Sequence, residues 1–582
     1  FFINQKLKPI KMSKANFVFK STMISVISGI LRKVLAKEIL LKTIAFMIIS
    51  GSFWSCAKKD HENSPIVKHV VVIGFDGLSP DGLKKATTPT FDKIISEGAS
   101  SMHARAVLPT SSSTNWASMI MGAGPEQHGI TSNSWEKNNF VLPTIIQSED
   151  FLFPSIFQLI DDQKENAEIG AIYHWTGFGR LFEKGAVDYD ISPDSEDETA
   201  ALASAYIKDK KPTFTFIHFD HVDHGGHEYG HGSPEYYKSV EKADAMLAEV
   251  MAAIKASGMA DETLVIISAD HGGLGKGHGG ESLQEIEIPF ILWGKSVKKN
   301  HVLKYPVYQY DNAATVAFAL GIKTPMAWIG KPVKNAFEGY ELSDDYPITE
   351  RVEEPVILPV ATLNKKAGGL FDDTANIIIE NTNGAGEIRY TLDGTMPNAN
   401  STLYTEAVRT TENVVVKSAI FRNGKIASTV SEAFFRIKNK TMAPPISYEV
   451  FYLENLTSIP SLENKRPDAK GTCFEITSDE VKEEIRSNTV VRFSTSIQVE
   501  KEDRFTFYTN SDDGSKLWVN NELVVDNDGD HGVIEKNGSI SLKPGTYPLQ
   551  VVWFNGGGSG WLNVDYQTTT TPKQVLPSTI LK

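Results

Sequence analysis

Five of the fourteen histidines fall within HFDHVDHGGHEYGH, His218 to His231. In that run Asp223 and His227 have the spacing D-x-x-x-H, with Gly225 and Gly226 between them to let the backbone curl, so that both side chains reach one ion. A carboxylate oxygen with an imidazole nitrogen is a typical zinc donor pair. His278, in GKGHGG, stands seven residues after His271 with glycine near it on either side, and it completes a three-ligand set with an open coordination position. Asp76 ends VVVIGFDG, and Asp270 with His271 ends TLVIISADHGG. Any one of these carboxylates is accounted for as a helix cap. Three of them converging on one sheet edge would repel one another and be driven to protonate unless a cation compensated them. The other histidines of the run, His218, His221, His224 and His231, read as solvated or as neighbours of the ligands, His224 being the first choice for a contact to ligand or substrate.

A nucleophile is available in AVLPTSSSTNWASMIMGAG. Pro109 stops any preceding element and a helical pattern begins at about Ser113, so a hydroxyl at Ser111, Ser112 or Ser113 lies at a helix N-terminus, where backbone amides favour an anion. Spacing does not choose among the three, and a serine-rich cap without catalytic function is the plainer reading of the segment alone.

These residues must be positioned by the elements around them. HVVVIGF, TFTFIHF, TLVIISA and PFILWG are short apolar runs, and SPEYYKSVEKADAMLAEVMAAIKAS is a long amphipathic helix with Ser233 as N-cap and Pro234 at its first position. Continuous apolar strands alternating with helices predict an α/β domain, a mostly parallel sheet sandwiched by helices, with its ligand site at the carboxyl ends of the strands. This domain spans 65–340. An acidic, proline-bearing stretch over 341–364 reads as a linker. β-branched runs broken by Gly/Asn/Asp turns then predict two all-β sandwich domains, at 365–438 and 445–582.

The 582 residues carry a formal charge of −14 with no concentrated basic face, which argues against a nucleic-acid partner. Two cysteines exclude a disulfide framework. Cys473 reads as a buried small hydrophobe. Cys56 follows Lys33, Lys37, Lys42 and the apolar run TIAFMIISGSFWS, which is too short to span a bilayer and predicts an export signal within a leader over 1–64. Its end resembles the lipobox of bacterial lipoproteins. That resemblance implies a cell-surface or periplasmic protein, touching the membrane only through a lipid on Cys56, with plain secretion as the alternative.

From Val70 to about Gly339 the order Asp76, PTSSSTNWASM, DHGGH, DH, GKGHGG resembles the alkaline phosphatase superfamily, and within it the type I phosphodiesterase and nucleotide pyrophosphatase branch. In that family the nucleophilic hydroxyl lies three residues before an Asn. The resemblance therefore implies Ser112 as nucleophile and Asn115 as the amide that binds a non-bridging phosphoryl oxygen. It also implies two divalent ions, zinc before others, one held by Asp76, Ser112, Asp270 and His271 and the other by Asp223, His227 and His278. Larger family members insert a cap between Asp-His and the last His. Only six residues intervene here, which leaves nucleotide specificity open. IRYTLDGTMPNANSTLYTEAV resembles the chitobiase and hexosaminidase C-terminal domain, and FTFYTNSDDGSKLWVNNELVVDNDGDHG the protective-antigen-like domain. The latter is often linked to carbohydrate binding, with Asp512 and Asp513 as a candidate calcium pair or, equally, a tight DDG hairpin turn. The implied substrate is a small or glycan-linked phosphate ester. A phosphodiesterase is preferred because no Arg or Lys is assignable as a clamp for a second free phosphate oxygen. The alternatives are a phosphomonoesterase and, in another class, a surface glycan-binding or adhesion protein with an inactive hydrolase scaffold.

Overall fold

The computed structural model describes residues 64–341, 351–361, 366–438, 443–557 and 560–582. The expected export signal and Cys56 lie outside the described residues. Among those described, no helix is long and apolar enough to cross a membrane.

Eight strands form the first sheet: β1 (His69–Phe75), β2 (Ala99–Arg105), β3 (Ile169–Tyr173), β4 (Tyr189–Ile191), β5 (Phe214–Phe219), β6 (Thr263–Ser268), β7 (Glu287–Gly294) and β8 (His301–Val302). Their order is β4-β3-β5-β1-β6-β7-β2-β8, and only β7 runs against its neighbours. β5 and β6 are buried at every residue and β1 at all but its first, because helices cover both faces of the sheet. Four helices matter for the site: α1 (Ser112–Met121), α2 (Glu196–Lys210), α3 (His221–Tyr229) and α4 (Pro234–Ala256). Ser233 caps α4 by accepting the Tyr236 amide at 3.1 Å, and Pro234 stands at its start.

Two β-sandwiches follow. The middle one packs a sheet built on Glu387–Thr391, Val414–Arg422 and Ser431–Lys438 against a smaller one of Val356–Leu358, Ala375–Glu380 and Val408–Thr410. The expected linker is thus partly a strand: Val356–Leu358 pairs antiparallel with Ala375–Glu380, placing Ile357 in the core. An apolar run of three residues between prolines is too short to show a period of two. The last sandwich joins a six-stranded to a four-stranded sheet around Phe493, Phe507, Leu517 and Trp553. Cys473 is buried there, and burial pushes its thiol up to about 12.

Candidate metal centre

Each of β1, β5 and β6 ends at the same edge of the sheet and delivers its acidic or imidazole groups there. Asp76 follows β1, α3 follows β5 and brings Asp223 and His227, and Asp270 with His271 follows β6. His227 Nε2 stands 3.1 Å from Asp223 Oδ2, His278 Nε2 3.7 Å from the same oxygen, and His271 Nε2 3.4 Å from Asp76 Oδ1 and 3.2 Å from Asp270 Oδ2. Two three-ligand groupings result, Asp223 with His227 and His278, and Asp76 with Asp223 and His271.

The D-x-x-x-H pair meets for a reason other than the one expected. Asp223 and His227 are one helical turn apart on a regular α3, side by side on one face, so no curl of the backbone is needed. Gly225 and Gly226 instead make room. A Cβ at Gly225 would meet Ser239 Oγ at 2.4 Å, and one at Gly226 would meet the His231 ring at 2.3 Å. His231 is buried against Asp223 Oδ1 at 3.6 Å and packs on Tyr236. His218 is wholly buried beside Asp76 Oδ2 at 3.3 Å. His224 does not approach the site: its side chain is 74% exposed and its neighbour is Glu228, on the outer face of the same helix.

Backbone carbonyls fix the rings. Nδ1–H of His227 donates to Lys276 O, that of His271 to Gly272 O and that of His278 to Thr110 O, each at 2.8 Å, so all three turn Nε2 lone pairs inward. The carboxylates are held on one side only. Asp76 Oδ2 accepts Trp116 Nε1–H at 3.1 Å, and Asp270 Oδ1 accepts the amides of Gly77 and His271. Asp76 Oδ1, Asp223 Oδ1 and Asp270 Oδ2 are buried with no hydrogen-bond partner. Burial and the charges of Asp76 and Asp223 push the Asp270 carboxyl well above its usual range. Burial acts the same way on Asp223, but contact with His227 and His231 holds it well below. Orphaned oxygens and inward lone pairs in one cleft fit a pair of divalent cations held by nitrogen and oxygen donors.

The three serines separate by their partners. Ser111 caps α1 and its hydroxyl pairs with Thr114 Oγ1 at 2.9 Å, while Ser113 Oγ accepts from Arg180 Nη2 at 3.0 Å. Ser112 alone points into the cluster, with Oγ 3.3 Å from His271 Nε2. Asn115 cannot have the expected role. It is fully buried, its Oδ1 accepts the Val107 amide at 2.7 Å, and its Nδ2 donates to the carbonyls of Val107, Pro109 and Ser111. It shapes the loop that presents Ser112. The exposed amide beside the hydroxyl belongs to Asn133, whose Oδ1 accepts the Ser113 amide at 2.8 Å. A guanidinium is also present, although none was assignable from sequence. Arg180 binds Glu136 Oε1, Ser113 Oγ and the Asn133 carbonyl with its terminal nitrogens. Neither residue carries a local signature, since both arrive from loops far along the chain.

Asp512 and Asp513 lie at the end of the strand Asp503–Asp512. This strand and the next, Ser515–Val519, belong to different sheets, so DDG is a crossing between sheets and not a hairpin turn. Asp513 accepts the amides of His531 and Gly556, and burial with the charge of Asp513 pushes the Asp512 carboxyl up to about 6. Among the described residues no His, Cys, Asp or Glu completes a three-ligand group with this pair.

Comparison with known proteins finds three family models along the chain. Residues 70–275 match the family model for type I phosphodiesterase / nucleotide pyrophosphatase, residues 366–432 the chitobiase/beta-hexosaminidase C-terminal domain, and residues 446–580 the PA14 domain. The chain is 24% identical over 238 residues to the bis(5'-adenosyl)-triphosphatase enpp4 of Mus musculus, covering 39% of this chain and 52% of that protein. It is 27% identical over 229 residues to the venom phosphodiesterase CdcPDE of Crotalus durissus collilineatus, covering 36% of this chain and 26% of that one. The chain spans about half the length of the first of these relatives. Murine ectonucleotide pyrophosphatase / phosphodiesterase 5 aligns in structure at a TM-score of 0.39 and 17% identity, over 44% of this chain and 96% of that one. The chain therefore carries a type I phosphodiesterase / nucleotide pyrophosphatase domain of α/β architecture, followed by a chitobiase/hexosaminidase C-terminal domain and a PA14 domain.

Proposed function

We propose that this chain is an exported hydrolase of phosphoric esters that acts through a phospho-enzyme at Ser112. The observation that carries the reading is the Ser112 hydroxyl, 3.3 Å from His271 Nε2 at the N-terminus of α1, facing the orphaned oxygens of Asp76, Asp223 and Asp270. Asp76, Ser112, Asp270 and His271 would hold one divalent ion and Asp223, His227 and His278 the other, zinc fitting the donor set best. Bound there, such ions lower the pKa of a hydroxyl or water and neutralise phosphoryl charge.

The chain's own groups supply the rest. Ser112 Oγ attacks phosphorus as the bond to one alcohol breaks, that alcohol leaving with the proton equivalent lost by the serine; water then cleaves the phosphoseryl bond, releasing a phosphomonoester from a diester substrate, or phosphate from a monoester. The Ser112 amide at the opening of α1 and the Asn133 side-chain NH2 face the phosphoryl oxygens and favour their charge. The carbonyl contacts of His227, His271 and His278 keep the rings from turning during the cycle.

A phosphodiester is the preferred substrate, because the terminal nitrogens of Arg180 are already bound and leave only one uncommitted side-chain amide for a non-bridging oxygen. The relatives named for diester and pyrophosphate cleavage point the same way. Release of Arg180 from the exposed Glu136 would favour a phosphomonoester instead. The two associated β-domains suit a glycan-linked ester. Relative rates on bis(p-nitrophenyl) phosphate and p-nitrophenyl phosphate decide between diester and monoester. Ser112→Ala should lower turnover by about 10^3-fold or more while the protein keeps its metal content. Undiminished hydrolysis by that variant would remove Ser112 from the mechanism.

A further inference from the structure

Four side chains outside this centre meet further along the same sheet edge. His174 follows β3, Asp220 follows β5 and caps α3, His221 opens α3, and Glu196 opens α2. His174 Nδ1 lies 2.8 Å from Glu196 Oε1 and 3.7 Å from Asp220 Oδ2, while His221 Nδ1 lies 3.8 Å from Glu196 Oε2. Ligand atoms of His174, Glu196 and Asp220 all fall within 4.8 Å of one another.

Hydrogen bonding does not explain the cluster. His221 Nε2–H donates to the Ser239 carbonyl at 3.1 Å, which turns its Nδ1 toward the Glu196 carboxylate. His174 Nδ1 is close to Glu196 but not aligned to bond with it, and it is buried without a hydrogen-bond partner. Glu196 is 6% exposed; its Oε1 accepts the Asp220 amide at 2.9 Å and its Oε2 has no partner. The centre built on Asp76 and Asp223 has the same features: a distal ring nitrogen tied to a carbonyl, a near nitrogen facing carboxylate, and an orphaned buried oxygen. Donors about 2.1 Å from a tetrahedral zinc stand about 3.4 Å apart, which is the range seen here.

We propose that His174, Glu196 and Asp220, with His221 beside Glu196 at their edge, form a third site for a first-row divalent cation such as zinc, beside the proposed catalytic pair. Two imidazoles and two carboxylates suit such an ion better than calcium or magnesium, which take all-oxygen shells. Asp220 and His221 open the helix that carries Asp223 and His227, so an ion here braces that helix against α2 and the end of β3.

The test is a count of bound metal. Full-length protein is stripped with chelator, reloaded with Zn2+ in calcium-free buffer and weighed by native mass spectrometry, and the cobalt absorption of Co2+-loaded protein is recorded in parallel. Glu196→Gln and His174→Ala should each bind one ion fewer per chain than the parent and lose the corresponding share of the cobalt signal. If Glu196→Gln does not fold, as read by circular dichroism, the partly exposed His174 carries the comparison. A parent that saturates at two ions, or variants that keep the parent's count, overturns the site and leaves an imidazolium–carboxylate network. The count does not depend on hydrolysis, so an inactive protein with the extra ion still supports it.

Discussion

His227, a candidate ligand, holds a proton when no ion is present. Its contact with Asp223 outweighs burial and raises its imidazole to about 9, so at pH 7 the metal-free ring is charged. An ion must displace that proton. Zinc binding at pH 7 should therefore release about one proton from this ring, measured calorimetrically as the dependence of the binding heat on buffer ionisation enthalpy. Absence of that dependence in the parent, or its persistence in His227→Ala, would contradict the assignment. His128 behaves in the opposite sense. It is fully buried, its Nδ1 accepts the Ile130 amide at 3.0 Å, and its Nε2–H is left to donate to Ser118 Oγ at 2.9 Å, so no place remains for a second proton. Burial lowers it to about 3. Below pH 6.5 the unfolded imidazole takes a proton that the folded one refuses, so this contribution is whole above pH 6.5 and is lost as pH falls toward 3. The slope is up to about 1.4 kcal/mol per pH unit. Urea unfolding of His128→Gln should show a shallower decline between pH 6.5 and 4 than the parent. Parallel curves would mean that other groups carry the acid sensitivity.

At the scale of elements, β1 and α1 are coupled by one close approach. A Cβ at Gly74 would sit 2.5 Å from the Trp116 ring, and Trp116 Nε1–H donates to Asp76 Oδ2. The glycine lets the indole lie flat against the strand and turn the Asp76 carboxylate toward the site. Gly74→Ala forces that ring away, an overpacking cost of about 1–3 kcal/mol, and weakens metal retention with it. Thermal melts and metal content should both fall. A full metal complement with an unchanged melting temperature would show that the ring yields freely. α3 illustrates the complementary use of glycine, since Gly225 and Gly226 admit Ser239 and His231 against a helix that stays regular.

Across the whole molecule, the two sandwiches are joined by charged pairs drawn out of water. Arg436 reaches Glu475 with two nitrogens, at 2.5 and 3.0 Å, and Lys366 pairs with the buried Asp565. Removing one member of a buried pair costs more than the pair itself contributes, because the survivor keeps its desolvation penalty. Glu475→Ala should therefore destabilise by about 3 kcal/mol. A lowered calorimetric transition would register this, and an unshifted one would show that Arg436 finds water. The last sandwich also acts on the catalytic domain. Lys276 is nearly buried in the short connection between His271 and His278, where burial lowers its ammonium pKa and the charges of Asp512, Asp513 and Glu228 oppose that shift.

The α/β architecture was legible because strands buried on both faces are mostly apolar, and β5 and β6 read so at four of their six positions each. The candidate ligands Asp76, Asp270 and His271 were legible at strand ends, and Asp223 with His227 one helical turn apart, spacings that backbone geometry enforces locally, whereas His278 comes from a connection without such a constraint. The proposed nucleophile was not legible from spacing alone: Ser111, Ser112 and Ser113 are equivalent until Thr114, His271 and Arg180 each take up one hydroxyl. Tertiary structure alone committed Asn115 to its own loop, set Asn133 beside Ser112, and gathered His174, Glu196, Asp220 and His221. Such contacts join segments whose neighbours in the chain impose no spacing on them, so only the packing of sheet and helices decides which side chains meet.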